Sequence, residues 1–358
     1  MVKVFVKGNE AVAEAALRAG CRFFAGYPIT PQNEIPEYMA RRLPEVGGVF
    51  VQGESEVASI NMLFGASSVG VRCMTSSSGL GISLKTEGIS YMVGARLPAV
   101  IINVMRGGPG IGSIQPAQQD YLQATKAMGS GGYRLKVFAP GSVQEAVDLT
   151  YEAFESADRD RMPAIVLMDG CVGAMMEPVS FPEYKTEFPD KSDWITLGAD
   201  GREARFISSF NVASTEPYGI EDGNIAVAEN YGRWLREETL VETYLTDDAE
   251  IVIVAYGIIG RESRYVVDML RENGFRAGLV RPKTISPFPY AFFEALPQSV
   301  RAVLCAEMSI PGQMVDDVKM AVSDLSKVKS IGRSGGILLT AEEIFDKAVE
   351  LLGGARNE

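Results

Sequence analysis

Four short segments of this 358-residue sequence carry residue types that could do chemistry together. They are Gly26-Tyr27-Pro28-Ile29-Thr30-Pro31, Gln52-Gly53-Glu54-Ser55-Glu56, Ser76-Ser77-Ser78-Gly79 and Arg106-Gly107-Gly108-Pro109-Gly110-Ile111-Gly112. Between them they offer carboxylates for proton exchange, hydroxyls for hydrogen bonding, a guanidinium for an anion and glycines that let a ligand approach the backbone. Each also has a plainer reading. Glu54 and Glu56 fall at the start of an expected helix, where the helix dipole favours an anion without any catalysis. Ser76–Ser78 fit a polar turn and helix cap, and the prolines of Tyr27–Pro31 fit a rigid turn. Arg106 is harder to explain as a solvated residue, because four glycines follow it within six positions; anion binding is favoured. The sequence has no histidine, which removes Ser-His-Asp and Cys-His catalysis and the usual neutral-pH base. Carboxylates or a cofactor must therefore carry any catalysis.

Standard nucleotide fingerprints fail. Gly107–Gly112 does not match GxGxxG and contains Pro109, while Gly79–Thr86 lacks the glycine that precedes the lysine of a phosphate loop. Glu221-Asp222-Gly223-Asn224 is similar to the Gly-Asp-Gly that opens a thiamine diphosphate metal site, but it lacks the leading glycine and follows no strand. It reads as a turn.

The elements that must position these loops alternate. Strands are expected at Arg22–Ala25, Val49–Val51, Val71–Thr75, Ala99–Val104, Leu135–Phe138 and Ala164–Met168. Between them helices are expected at Glu34–Leu43, Glu56–Val69, Ser83–Val93, Gln118–Met128 and Gln144–Ser156, after a first helix Glu10–Ala19 capped by Asn9. Continuous apolar strands alternating with amphipathic helices predict a doubly wound parallel sheet over residues 1–175. In such a sheet ligands bind beyond the carboxyl ends of the strands, and all four segments follow strands, so they converge on one crevice. Residues 177–223, rich in Pro, Asp, Lys and Ser, read as a surface connection, followed by a charged helix at 225–244 within a 176–247 linker. A smaller α/β domain is expected over 248–358.

Composition narrows the class. With 46% apolar residues the chain can bury a core, and 46 acidic against 34 basic residues leave a net charge of −12. That charge argues against nucleic acid or an anionic membrane as partner. The longest apolar runs fall well short of the roughly 18 residues a membrane span needs, and Met1–Lys7 does not read as a signal peptide. Four scattered cysteines without a CxxC pair predict no disulfide framework, no metal site and no iron–sulfur cluster on this chain, but reduced cytoplasmic thiols.

The four segments, with Glu54-Ser55-Glu56-Val57-Ala58, Thr75-Ser76-Ser77-Ser78-Gly79 and Asn103-Val104-Met105-Arg106-Gly107-Gly108-Pro109-Gly110 in full, resemble the alpha-type subunit of 2-oxoacid:ferredoxin oxidoreductases. Gly278–Pro289 and Glu307–Gln313 are similar to that family's transketolase C-terminal-type domain, so the likeness runs nearly the whole length. Pro28–Tyr38 together with Gly53–Glu56 look most like the branched-chain, 2-oxoisovalerate (3-methyl-2-oxobutanoate) type.

The resemblance implies a thiamine diphosphate pyrimidine-binding domain followed by the smaller transketolase C-terminal-like domain. A beta-type partner would supply the diphosphate domain and magnesium. Gamma and ferredoxin-like delta subunits would complete the complex, iron–sulfur clusters would sit on partner chains, coenzyme A would take the acyl group and ferredoxin the electrons. By position Glu56 matches the glutamate that hydrogen-bonds the aminopyrimidine, Thr30 a threonine touching substrate and cofactor, and Arg106 the arginine holding the substrate carboxylate. Pro28, Ser76, Ser77 and Gly79 fall on the cofactor side, and Gly107 and Gly108 on the substrate side. Glu54 is the alternative to Glu56 if the register shifts. Decarboxylation of a 2-oxoacid leaves a carbanion that no side chain stabilises, so a thiazolium is the electron sink, and a glutamate sharing a proton with the pyrimidine ring activates it without any histidine. Burial of that glutamate and the helix dipole act on its pKa in opposite directions. Substrates differing by one methylene separate by only about 1–3 kcal/mol, leaving 2-oxoglutarate and pyruvate as alternatives. A non-oxidative thiamine synthase or transferase, and a non-catalytic partner that keeps the fold, are further readings. A 2-oxoglutarate enzyme would want a second cation, and Arg72 and Arg96 lie at the wrong edge of the sheet.

Overall fold

The structure is a computed structural model that describes residues 3–198, 201, 205–209 and 219–353. The first unit runs β1 (Val4–Lys7), α1 (Gly8–Arg18), β2 (Phe23–Gly26), α2 (Glu34–Arg42), β3 (Val49–Gln52), α3 (Glu56–Ser68), β4 (Cys73–Ser77) and α4 (Leu80–Gly94). It continues through β5 (Ala99–Gly107), β6 (Ser113–Pro116), α5 (Tyr121–Lys126), β7 (Lys136–Phe138), α6 (Val143–Asp160), β8 (Pro163–Asp169), α7 (Gly170–Ala174) and β9 (Met176–Val179). After α8 (Ile220–Glu237) come β10 (Val241–Tyr244), β11 (Ile251–Val254), α9 (Gly257–Glu272), β12 (Ala277–Pro282) and β13 (Thr284–Ser286). The chain ends through α10 (Tyr290–Glu294), β14 (Ala302–Glu307), α11 (Met314–Ala321), β15 (Val328–Gly332) and α12 (Ala341–Leu351).

The main sheet has the order β13-β7-β8-β5-β4-β2-β3, parallel from β7 to β3, with β6 folded back on β5 and β13 antiparallel at the edge. Alternate residues of β5 explain its burial on both faces. Ala99, Ile101 and Met105 pack with α3, α4 and α5, while Val100, Ile102 and Val104 pack with α1, α2 and α6. The chain runs from β2 outward to β3 and then returns to the other side of β2 for β4. That reversal opens a crevice between the loops after β2 and β4.

A second sheet, β10-β12-β11-β14-β15, is parallel except at β10. Val252 and Val254 of β11 join the same apolar cluster as the α3–α5 face of the main sheet, whereas Ile251 and Ile253 face α9 and α12. One core thus spans both sheets. Ion pairs and hydrogen bonds rivet the join: Arg281 donates to Glu145 (2.8 Å), the Tyr121 hydroxyl to Asp317 (2.7 Å), and Asp169 accepts from the Ile258 N–H (2.8 Å).

The strands and helices expected between residues 22 and 168 form, with ends moved by a few residues. Four expectations are corrected. Helix α1 starts at Gly8, and Asn9 lies inside it with its amide donating to the Pro31 carbonyl and to Glu34 (2.9 Å each), so it ties α1 to α2 instead of capping. The charged helix ends at Glu237, because residues 241–244 leave it to become the edge strand β10. Glu221–Asn224 is the first turn of α8, not a free turn: Glu221 and Asp222 suit a helix N-terminus. The 177–223 segment opens with β9, paired antiparallel to β1, and its next stretch is pinned down, Lys191 reaching Asp158 (2.7 Å) and Pro182 accepting from Arg18 (2.8 Å). Within it, residues 199–200, 202–204 and 210–218 lie outside the described residues. Among the described residues no helix is long and apolar enough to cross a membrane. Cys21, Cys73 and Cys305 are buried, and all four cysteines are free thiols.

Candidate active site

The four loops do meet at the carboxyl edge of the main sheet. Ser55 caps α3, its Oγ accepting from the Ala58 N–H (3.1 Å), and this fixes the next residue, Glu56, as the first of the helix. Glu56 is 5% exposed, whereas Glu54 in the preceding turn faces solvent. The Glu56 carboxylate is pressed under α4: a Cβ on Gly81 would lie 2.6 Å from its Oε1 and 2.2 Å from the Ser77 Oγ. Only glycine leaves both of these side-chain ends where they are.

Arg106, at the end of β5 and 7% exposed, crosses the crevice. Its guanidinium donates to the Thr30 carbonyl and to the Ile111 carbonyl, both at 3.0 Å, and so joins the loop after β2 to the glycine loop. Gly79, with φ +48°, passes alongside it, an added Cβ standing 3.8 Å from the arginine side chain. Ser76 donates to Gln32, whose amide donates in turn to the Tyr27 carbonyl (3.3 Å). Thr30 is half-buried. Pro28 is exposed and lines an open cleft with Gly26, Asn33, Pro36 and Phe50.

The glycine loop is braced from the second unit. A Cβ on Gly107 would come within 3.0 Å of Gly335, and the Gly108 N–H donates to Gln119 (2.6 Å), which itself donates to Ser334 (3.0 Å). Asp120 accepts from Asn103 (3.0 Å); burial raises its pKa although Asn103, the Gly79 N–H and Arg106 oppose this.

Several buried polar atoms here lack a protein partner: the Thr75, Ser77 and Ser78 hydroxyls, the Asn103 Oδ1 and the Lys85 Nζ. Buried groups of this kind each cost about 1–3 kcal/mol when unsatisfied. Such a cluster beside a buried carboxylate fits a planar hydrogen-bonding ring such as an aminopyrimidine, so the residues present suit the thiamine group. Sequence reasoning had Glu56, Thr30, Arg106, Ser76, Ser77 and Gly79 in view, and it missed Gln32, Asn103, Gln119, Asp120 and Lys85. The readable signal was Lys85, a charge on the otherwise apolar 81-82-85-89-92 face of α4.

Comparison with known proteins shows the family. Residues 14–199 match the family described as pyruvate flavodoxin/ferredoxin oxidoreductase, thiamine diphosphate-binding, and residues 249–344 match pyruvate:ferredoxin oxidoreductase core domain II. The ketoisovalerate oxidoreductase subunit VorB of Methanothermobacter thermautotrophicus is 46% identical over 99% of both chains. The 2-oxoglutarate synthase subunit KorA of Archaeoglobus fulgidus is 36% identical over 98% of each. Among solved structures, the 2-oxoglutarate:ferredoxin oxidoreductase from Magnetococcus marinus shares the fold with a TM-score of 0.85 at 24% identity, the match covering 98% of this chain and 65% of that one. A split-gene transketolase aligns with a TM-score of 0.60 over 98% of this chain and 99% of its own. The chain belongs to the 2-oxoacid:ferredoxin oxidoreductase family, as a subunit that carries its thiamine diphosphate-binding domain.

Proposed function

We propose that this chain is the alpha-type subunit of a 3-methyl-2-oxobutanoate:ferredoxin oxidoreductase, which converts the branched 2-oxoacid and coenzyme A to acyl-CoA and CO2. The observation that carries the reading is a buried Glu56 facing the same crevice as Arg106, in a chain 46% identical across its length to a ketoisovalerate oxidoreductase subunit. Thiamine diphosphate, when bound, supplies the electron sink for decarboxylation. Glu56 holds a proton against the pyrimidine nitrogen, and its burial under Gly81 keeps water from competing for that proton. Arg106 spends some of its five donors on the Thr30 and Ile111 carbonyls, which locks its plane, and presents the rest to the substrate carboxylate. Thr30, whose carbonyl accepts from Arg106, would touch both substrate and cofactor, with Gly107 and Gly108 shaping the substrate side and Ser76, Ser77, Gly79 and Pro28 the cofactor side.

In this reading a beta-type subunit brings the diphosphate domain with its magnesium, gamma and delta subunits complete the assembly, and iron–sulfur clusters on partner chains carry electrons singly to ferredoxin. An acidic ferredoxin would dock on a partner, since this chain carries −12. Free, mostly buried thiols suit a reducing cytoplasm. The test is anaerobic dye reduction by the natively purified complex with coenzyme A and, separately, 3-methyl-2-oxobutanoate, 2-oxoglutarate and pyruvate. Fastest reduction with the branched acid is expected. Preference for another acid would reassign the pocket, and no reduction by a fully loaded complex would turn the reading to a non-oxidative thiamine enzyme.

A further inference from the structure

Three successive residues between β6 and α5 join the two units at the mouth of the candidate site. Gln118 is fully buried and turned toward the second unit. Its N–H donates to the Met308 carbonyl and its side-chain oxygen accepts from the Met308 N–H (3.0 Å each), while its side-chain NH2 donates to the Tyr256 carbonyl (2.9 Å). Asp120 turns the other way and accepts from Asn103 of β5 (3.0 Å). Gln119, between them, serves both. Its backbone carbonyl accepts from the Gln313 amide (2.7 Å), and its side chain reaches from the Gly108 N–H (2.6 Å) to the Ser334 Oγ (3.0 Å). Chemistry fixes the direction: a backbone N–H can only donate, so the side-chain oxygen faces Gly108 and the NH2 is left for Ser334.

The loop that Gln119 holds is the one that sets Arg106. It doubles back so tightly that a Cβ on Gly112 would lie 1.9 Å from the Gly107 carbonyl oxygen, and its Ile111 carbonyl accepts from the Arg106 guanidinium (3.0 Å). The second unit meets it with glycines of its own. A Cβ on Gly107 would come within 3.0 Å of Gly335, and one on Gly336 within 2.3 Å of the Gln115 side chain. Two backbones thus lie in contact, and Gln119 is hydrogen-bonded to both.

We infer that Gln119 is a positioning residue for the substrate carboxylate: it fixes the glycine loop against Ser334–Gly336, so the second unit decides where Arg106 stands. This rests on the reading of Arg106 given above. The second unit, which supplies none of the site residues, acquires a part in oxoacid affinity by this route.

The experiment compares the natively purified wild-type complex with Gln119→Leu, Ser334→Ala and Ser334→Thr. Amide hydrogen exchange over residues 106–113 is followed without substrate, and 2-oxoacid saturation is followed by anaerobic dye reduction. Gln119→Leu should speed that exchange and raise KM on the order of 10-fold, with kcat held within about 2-fold. Ser334→Ala, which touches only the second unit, should speed the same exchange and raise KM by a smaller factor, and Ser334→Thr, which keeps the hydroxyl, should match wild type. Unchanged exchange and KM in Gln119→Leu would overturn the inference. So would a fall in kcat with KM unmoved, or a Ser334→Ala complex identical to wild type. Should Gln119→Leu fail to assemble, Ser334→Ala decides alone. A wild-type complex that turns over no 2-oxoacid would refute the functional reading instead, and the exchange comparison would still decide whether Gln119 holds the loop.

Discussion

Gly81→Ala separates the position of Glu56 from its presence. The new methyl would stand 2.6 Å from the Glu56 Oε1, and ordinary contact begins at 3.4 Å, so the carboxylate must retreat by 3.4 − 2.6 = 0.8 Å or more. Both obstructing atoms, this oxygen and the Ser77 Oγ at 2.2 Å, are ends of flexible side chains, so the helix itself need not move. Overpacking costs about 1–3 kcal/mol, and replacing a helical glycine by alanine returns up to about 1 kcal/mol, so net destabilisation should stay within about 2 kcal/mol. Catalysis is less forgiving, because a misplacement near 1 Å costs on the order of 100-fold in rate. The assay pairs thermal unfolding of the complex with anaerobic 2-oxoacid-dependent dye reduction. A folded variant with turnover down roughly 100-fold is expected. Wild-type turnover and wild-type thiamine diphosphate affinity together would refute the argument that Gly81 sets the place of Glu56.

Other perturbations test the remaining contacts. Glu56→Gln keeps size and hydrogen-bonding capacity but cannot exchange the proton; it should abolish oxoacid-dependent reduction with an unchanged melting temperature, and near wild-type activity would remove Glu56 from its role. Arg106→Ala should weaken oxoacid binding by about 1.5–3 kcal/mol, read as a raised KM. Arg106→Lys should recover only part of that, because a point charge cannot reach both the Thr30 and Ile111 carbonyls as the planar fork does. Glu145 is pushed up by burial but held down at about 2 by the hydrogen bonds and charge of Arg281, with Gly141 and Lys283 helping, against an ordinary value of 4.5. Its folded pKa is depressed, so its contribution is complete above pH 4.5 and disappears as pH falls toward 2. Allowing for solvent screening this is at most about 2 kcal/mol. Denaturant unfolding of Glu145→Gln should therefore show a stability deficit at pH 7 that narrows below pH 4.5.

The parallel sheet was legible because β5 and β8 are apolar on both faces, a pattern local to each strand. The candidate site was legible because its loops directly follow β2, β3, β4 and β5. The strands Val4–Lys7, Met176–Val179 and Thr284–Ser286 were not. Val4–Lys7 pairs with Met176–Val179, and Thr284–Ser286 with Lys136–Phe138, so the partner of each three- or four-residue run lies far away in sequence. Propensity also misled at Glu221–Asn224, where Asp-Gly-Asn suggests a turn yet tertiary packing of Trp234 and Val227 carries the helix through. The orphaned hydroxyls depend on how α3 lies on α4, which no single segment encodes.

The loan of β13 to the main sheet has a consequence for how this polypeptide is made. Residues 284–286 cover the outer edge of β7, whose backbone would otherwise present unpaired N–H and C=O groups. A ribosome has released all of the first unit well before those residues emerge. During that interval the β7 edge is open to a neighbouring nascent chain. Expression of residues 1–247 alone would make the interval permanent, and such a fragment should self-associate through β7.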